Sequence, residues 1–277
     1  RILEHWNGTL YLMLNPDVVL APEFVDKALE IFASDSQIGS INGQIRYQDG
    51  KTPSPYIYSL GHVLYRDRRF EDLEIGQHSE TLNIPVRHIF GPNGACPILL
   101  VRALRDVSYP EGPFDKVYFL YGEDDDLNWR LALAGWKSLY IPQCLAWHDA
   151  GSSGAFRSSR ARRSALANRW LTILKNDHWL FFLMDFPIIL GMEVLYWGIR
   201  LIKRPAFLWD LIGAFFFFVR YLPHAWIRRR QTPIRISFRE ERKLLEPGML
   251  KRLSTLGKRV LGKSHHRSLW TKAEQYP

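Results

Sequence analysis

Four short stretches of this sequence carry groups whose types and spacing could do chemistry. Asn15-Pro16-Asp17 follows directly on an apolar run at 9–14. A carboxylate at the carboxyl end of a buried strand suits a hard divalent cation, which wants oxygen ligands and usually shares them with a substrate phosphate. The same tripeptide is also ordinary turn chemistry. Glu123-Asp124-Asp125-Asp126 crowds four carboxylates into one run. Their repulsion raises some of the pKa values, and a raised carboxylate makes a useful general base. Four acids can equally cap a helix and stay solvated. Asp126 and Arg130 lie four apart, which predicts a pair on the helix surface. His148 follows an apolar stretch at 144–147; alone it reads as structural, and it gains interest only beside Asp17 and the acidic tetrad. Asn93-Gly94-Ala95 supplies small residues where a backbone could approach a ligand closely, or where the chain simply turns.

The elements that must position these groups alternate. Residues 9–14 read as a buried strand, residues 22–32 as a helix opened by Pro22, and residues 38–45 as a second strand. Residues 49–80 are turn-rich, with Asp49-Gly50 and the Pro53/Pro55 pair. Residues 84–90 look extended, the chain breaks at 91–95, and 97–102 is apolar again. A helix should start inside the tetrad, where carboxylates suit the positive end of the helix dipole, and stop at Gly135. Residues 137–141 form another strand. Strands alternating with helices predict an α/β domain over residues 1–156.

Composition excludes several classes. At 277 residues, 47% hydrophobic and 23% charged, the chain can bury a core and is no disordered tail. Its two cysteines, Cys96 and Cys144, rule out a disulfide scaffold and a four-cysteine zinc site. The net charge of +9 conceals a division: residues 1–150 carry 13 Lys+Arg against 20 Asp+Glu, residues 151–277 carry 24 against 8. Residues 157–230 read as a basic helix followed by two aromatic-rich helices at 179–202 and 206–227. Asp185, Pro187 and Glu193 interrupt the first, and Asp210, Arg220 and Pro223 the second, so neither reads as a clean membrane span. Aromatic helices flanked by Lys203-Arg204 and Arg228-Arg229-Arg230 suit an anionic membrane surface. The expectation is a helical pair lying flat on it, aromatic faces dipping in and charges reaching water; a buried pair packed on the α/β domain is the alternative. Residues 231–277 read as a polar, basic, loosely ordered tail. The bases lie among apolar runs and on no recognisable reading helix, so nucleic acid is not expected as a partner.

Taken in order, Leu-Asn-Pro-Asp (14–17), Gly-Pro-Asn-Gly-Ala (91–95), Gly-Pro-Phe-Asp (112–115), Tyr-Gly-Glu-Asp-Asp-Asp-Leu-Asn-Trp-Arg (121–130), Gly-Trp (135–136) and Trp-His-Asp (147–149) resemble glycosyltransferase family 2, closest to its bacterial rhamnosyltransferase-like branch. With Asn168-Arg169 and Lys175-Asn176, the resemblance covers residues 9–176, and the Glu-Asp-x-Asp-Leu-x-x-Arg run is its most specific part. It implies a GT-A-like (Rossmann-like) mixed sheet and inverting transfer of a sugar, rhamnose among the candidates, from a nucleotide-diphosphate donor. The acceptor would be a glycan or a lipid-linked glycan in cell-surface polysaccharide synthesis. Asp17 matches the last acid of the family's metal motif, with Asn15 where the first acid often stands, and His148 matches a histidine that can complete a Mg²⁺ or Mn²⁺ site. Asp124 matches the general base, with Glu123 beside it. Asn93, Gly94, Ala95 and Trp136 match positions lining the donor and acceptor cleft. Arg157, Arg160, Arg162 and Arg163 could steady a diphosphate or form a solvated basic face. The family carries a further βαβ unit, which binds the nucleotide base, ahead of the metal-motif strand; the chain is expected to lack it. The expected location is cytoplasmic, peripheral on the inner face of the cell membrane. A non-catalytic membrane- or glycan-associated protein with a decayed transferase fold is the alternative.

Overall fold

The computed structural model describes residues 8–50, 52–118, 120–149 and 158–248. Its strands are β1 (Leu10–Leu12), β2 (Val18–Leu20), β3 (Ile38–Asp49), β4 (Thr52–Ser59), β5 (His62–Tyr65), β6 (Phe70–Asp72), β7 (Arg87–Ile89), β8 (Ile98–Leu100), β9 (Lys137–His148) and β10 (Leu245–Glu246). Its helices are α1 (Phe24–Ser34), α2 (Val101–Val107), α3 (Glu123–Leu133), α4 (Ser159–Asn176), α5 (Trp179–Lys203), α6 (Phe207–Gln231) and α7 (Phe238–Lys243).

The main sheet runs β1-β8-β3-β9-β2, with β4 paired to β3 and β7 to β9. β3 and β9 are parallel along most of their length, and the remaining pairs are antiparallel. Alternation along β8 sorts the two faces of this mixed sheet. Ile98 packs with Phe24 and Ala28 of α1, together with Ile41, Ile45 and Ile141. Leu99 points the other way, onto Ala103 and Leu104 of α2 and Leu127 and Leu131 of α3. The mixed α/β architecture expected from the alternating pattern is therefore present, with helices on both faces.

Three expectations fail here. The stretch 49–80 is not mainly turn. It holds β4, β5 and β6, and β5 and β6 join β10 in a second, three-stranded sheet. Its glycines mark turns between short strands, and Pro53 and Pro55 lie inside β4 itself, which masks the pattern. The stretch 231–248 is ordered: Leu245 is buried, β10 pairs parallel with β5, and Arg242 grips Asp185 in a two-pronged contact. The remainder of that tail lies outside the described residues. Finally, α5 and α6 do not form a helical pair. They barely touch; α6 packs along α4, where Ala225, Leu171 and Tyr118 meet, and α5 packs on the α/β domain.

The charges that interrupt these helices do not reach water. On α5 the buried stripe is Phe181, Asp185, Ile189, Met192 and Glu193, a helical spacing that brings both acids inward. Asp185 meets Arg68 at 2.6 Å, and Glu193 meets Arg69 at 2.6 Å and Arg169 at 2.7 Å. On α6, Asp210 is buried against Arg162 at 2.8 Å. Turning the acids inward leaves Trp179, Leu183, Met184, Phe186, Leu190 and Val194 exposed on α5, and Trp209, Phe215, Phe216 and Trp226 on α6. By length and composition α5 could cross a membrane, with a mean hydropathy of 1.6 over its best window. Its inward stripe is tied to the α/β domain by those ion pairs.

Candidate functional site

The turn at 93–95 organises the site. The Asn93 backbone N–H donates to Asn42 Oδ1 of β3 at 2.8 Å, and Asn93 Oδ1 accepts from the Ala95 N–H at 2.9 Å, so the turn is fixed both to the sheet and to itself. On one side, the Ala95 carbonyl accepts from the Asn15 N–H at 2.9 Å. On the other, the Gly94 N–H donates to Asp124 Oδ2 at 3.0 Å. One turn thus holds the Asn15–Asp17 loop and the acidic helix mouth together, although they lie more than a hundred residues apart in sequence.

On the first side, β2 pairs with the end of β9, setting Val18 opposite His148. That pairing brings Asp17 Oδ1 to 3.2 Å from His148 Nε2, while the Asp149 N–H donates to the Asp17 carbonyl at 3.0 Å. The Tyr58 ring meets the imidazole edge-on at 4.5 Å. Burial lowers the His148 pKa and outweighs the opposing pull of Asp17, which favours the neutral imidazole that metal ligation needs. His148 Nδ1 is buried without a hydrogen-bond partner. Among the described residues no three His, Cys, Asp or Glu side chains converge on one point. Asp17 and His148 thus meet as a pair, and the described residues bring no third such side chain to them.

On the second side, Asp124 sits in the first turn of α3 and accepts from the Gly94 and Asp125 N–H groups with its two oxygens. Its neighbours are not solvated. Burial, then the charge of Asp124, pushes Glu123 up to about 7, and the same two causes push Asp125 up to about 6. Behind Asp125 lies a group the sequence reading missed. His62 is buried on β5, with Nδ1 2.9 Å from Asp125 and Nε2 3.4 Å from Asp72. Burial alone would lower its pKa; the two carboxylates win and hold it well above the usual value. Asn93 Nδ2 donates to Asp72 Oδ1 at 2.8 Å, so this cluster is also fixed to the central turn. His62, Asp72 and Tyr58 gave no sequence signal, since nothing in a turn-rich stretch says which side chains face a site, and nothing in the strand pattern at 38–45 marked Asn42.

The second half of the acidic motif is structural. Asp126 and Arg130 do pair, at 3.1 Å, but both are fully buried and not on the helix surface as expected. Asp126 also meets Lys175 at 2.9 Å and Asn176 at 2.8 Å, and Lys175 reaches Asp115 at 2.8 Å. Asn168 Nδ2 donates to the Leu120 and Tyr121 carbonyls, just ahead of the helix mouth. The motifs at 112–115, 121–130 and 175–176 thus converge on one buried network that sets the pose of α3 under the site, and Asn168 holds the chain just ahead of it.

Trp136 is not brought to this site, contrary to expectation. It precedes the first residue of β9, whereas His148 is the last, roughly 35 Å of strand away. Its Nε1 donates to Asp106 Oδ2 at 2.8 Å, and its ring packs with the α2–α3 cluster. Arg162 is spent on Asp210, Arg160 and Arg163 lie on α4, and Arg157 falls outside the described residues.

No family model matches the chain. It is similar to the N-acetylglucosaminyl-diphospho-decaprenol L-rhamnosyltransferase of Mycobacterium tuberculosis, in both the CDC 1551 and H37Rv strains. The match is 31% identical over 159 residues, 54% of this chain and 50% of each relative. The chain therefore spans about half the length of the curated relatives it matches. Among solved structures it resembles GalNAc-T7, crystallised with UDP, GalNAc and Mn²⁺, at a TM-score of 0.44 and 13% identity, covering 61% of this chain and 32% of that one. A likeness that loose carries no argument about the site. The resemblance to rhamnosyltransferase-like glycosyltransferases stands on the curated relatives.

Proposed function

We propose that the chain is the catalytic part of a family 2, GT-A-like inverting glycosyltransferase. It would move a sugar, with rhamnose the leading candidate, from a nucleoside-diphosphate donor to a lipid-linked glycan acceptor. The observation that carries this reading is the 93–95 turn, whose two neighbouring residues hold Asp124 on one side and the Asp17–His148 loop on the other. In this reading Asp124, the proton acceptor, lies across a small turn from Asp17 and His148, the pair that would hold a diphosphate-bound cation. The similarity to curated rhamnosyltransferases supports the choice of sugar and of acceptor class.

Asp124 takes the proton from an acceptor hydroxyl as its oxygen attacks the donor's anomeric carbon. The bond from that carbon to the diphosphate oxygen breaks on the opposite face, so configuration inverts and no covalent enzyme intermediate forms. A divalent cation, Mg²⁺ or Mn²⁺, would neutralise charge on the departing diphosphate. Asp17 and His148 would hold it. Asn15, Asn93, Gly94, Ala95 and Glu123 would contact the donor and the acceptor between these two groups. The exposed aromatic faces of α5 and α6, with Lys203, Arg204, Arg220 and Arg230 exposed beside them, support a peripheral position on an anionic inner membrane surface.

Asp124→Asn tests the reading. Donor affinity should stay near wild type while turnover falls by on the order of 10²-fold or more. Near-normal turnover removes Asp124 from the role, and the absence of transfer from any nucleotide-sugar in the wild-type protein favours a non-catalytic glycan- or membrane-associated protein.

A further inference from the structure

His62 sits in a closed ring of contacts that begins and ends on Asp124. The Gly94 N–H holds Asp124 Oδ2 at 3.0 Å. The Asp125 N–H donates to Asp124 Oδ1 at 2.9 Å, and the Asp125 carboxylate meets His62 Nδ1 at 2.9 Å as an ion pair. His62 Nε2 lies 3.4 Å from Asp72 Oδ1, and Asn93 Nδ2 donates to that same oxygen at 2.8 Å. Asn93 precedes Gly94 in the chain, which closes the ring. The strands β5 and β6, the 93–95 turn and the mouth of α3 are joined through it.

The backbone fixes His62 in this position. Its N–H donates to the Gly91 carbonyl at 2.7 Å, its carbonyl accepts from the Phe90 N–H at 3.2 Å, and it stands opposite Asp72 in the β5–β6 pair. At 7% exposure it lies behind the turn, not in reach of a substrate. Charge then makes the ring depend on this one side chain. Asp72, Glu123, Asp124 and Asp125 crowd together and repel one another. Among the described residues, the ion pairs of Asp125 and of Asp72 are both with His62. Burial opposes charge on the imidazole, but the two acids outweigh it and keep it a cation at neutral pH.

We infer that His62 is a positioning residue: gripped by Asp125 and Asp72, its imidazolium clamps the mouth of α3 to the 93–95 turn and so fixes the Asp124 carboxylate. That Asp124 is a proton acceptor rests on the transferase reading; the clamp itself rests on the ring of contacts. His62 acts through Asp125 and Asn93 and touches no reacting atom.

The test uses the 277-residue chain and two variants. His62→Gln keeps a polar group and loses the charge; Asp72→Asn keeps an acceptor for Asn93 and loses the charge. Hydrogen exchange of the Gly94 N–H is followed by NMR, with the amides of the β3–β9 pair as internal controls. In His62→Gln the Gly94 amide should exchange faster by about tenfold or more while the controls change by less than about threefold, and Asp72→Asn should move it the same way by a smaller factor. A histidine that only supports the fold would speed all these amides together. That result overturns the proposal, as does an unchanged Gly94 amide in both variants. Turnover is read on the same proteins: kcat should fall by about tenfold in His62→Gln with donor and acceptor KM within about twofold of wild type. The two readings separate. A selectively faster Gly94 amide in a protein that transfers no sugar keeps the clamp and removes the transferase reading. Sugar transfer with unchanged kcat in both variants keeps the transferase and removes His62 from positioning Asp124.

Discussion

Gly94→Ala adds one methyl group and removes no functional atom, yet it should disable the site. A Cβ at residue 94 would lie 2.9 Å from Asp124 Oδ2 and 3.3 Å from its Cγ, where ordinary contact starts near 3.4 Å. The Gly94 turn is pinned through Asn93 to Asn42 and through Ala95 to Asn15, so the carboxylate gives way rather than the turn. It must retreat by about 0.5 Å, which stretches the 3.0 Å bond from the Gly94 N–H to about 3.5 Å, beyond useful range. Reacting groups need placement to about 0.5 Å, and a 1 Å error can cost on the order of 10²-fold. Half that error predicts a turnover loss of about tenfold, or about 1.4 kcal/mol of barrier. Donor affinity should hold, because the Asp17–His148 side is untouched. The assay is kcat and donor Kd measured separately on a variant whose melting temperature is also recorded. A kcat within about twofold of wild type, with the fold intact, would refute the reasoning that this turn positions the base.

The buried network beneath α3 predicts stability. Lys175, 2% exposed, bridges Asp115 at 2.8 Å and Asp126 at 2.9 Å; Lys175→Met leaves Asp126 to Arg130 and Asp115 to His224, with one buried cation fewer between them, and should cost about 3 kcal/mol, a fall of roughly 10 °C in Tm at pH 7. Asp115 is partly desolvated, yet Lys175 holds its pKa below the usual carboxylate value; its stabilisation is present above the unfolded pKa and fades as pH falls, so the gap between wild type and variant should narrow in acid. A shift under about 2 °C at pH 7 contradicts it. Glu123, with its pKa pushed up to about 7 by burial and by Asp124, binds a proton in the folded state that the unfolded chain releases near 4.5. Wild-type stability should therefore fall as pH rises from about 4.5 to 7, and Glu123→Gln should be the more stable protein at pH 8 by about 3 kcal/mol and equal near pH 4.5; a gap that does not grow with pH defeats this. Asp17→Asn and His148→Ala should each lower Mn²⁺ affinity in the presence of nucleoside diphosphate by about tenfold or more, read by electron paramagnetic resonance of the free ion; unchanged affinity in both moves the cation elsewhere.

The sequence by itself determined the local pattern and the motif order. The apolar runs at 9–14 and 137–141, the helix opening inside the acidic tetrad, and the long helices after residue 157 follow from periodicity and capping, which depend on neighbours a few residues away. Asp17, Asp124 and His148 were legible because each follows or opens such an element. What lay beneath them was not. The sequence pairs Asp126 with Arg130 by spacing, but only packing buries that pair and adds Lys175 and Asn176. Acids at 185, 193 and 210 read as interruptions that must seek water, until Arg68, Arg69, Arg162 and Arg169 meet them from distant segments. Trp136 stood beside a motif in sequence and at the far end of the strand in space. His62 reached the acidic mouth through β5, from a stretch that showed only turns. Side-chain pairing across 24 to 124 residues is set by strand register and helix packing, and a linear pattern carries no record of either.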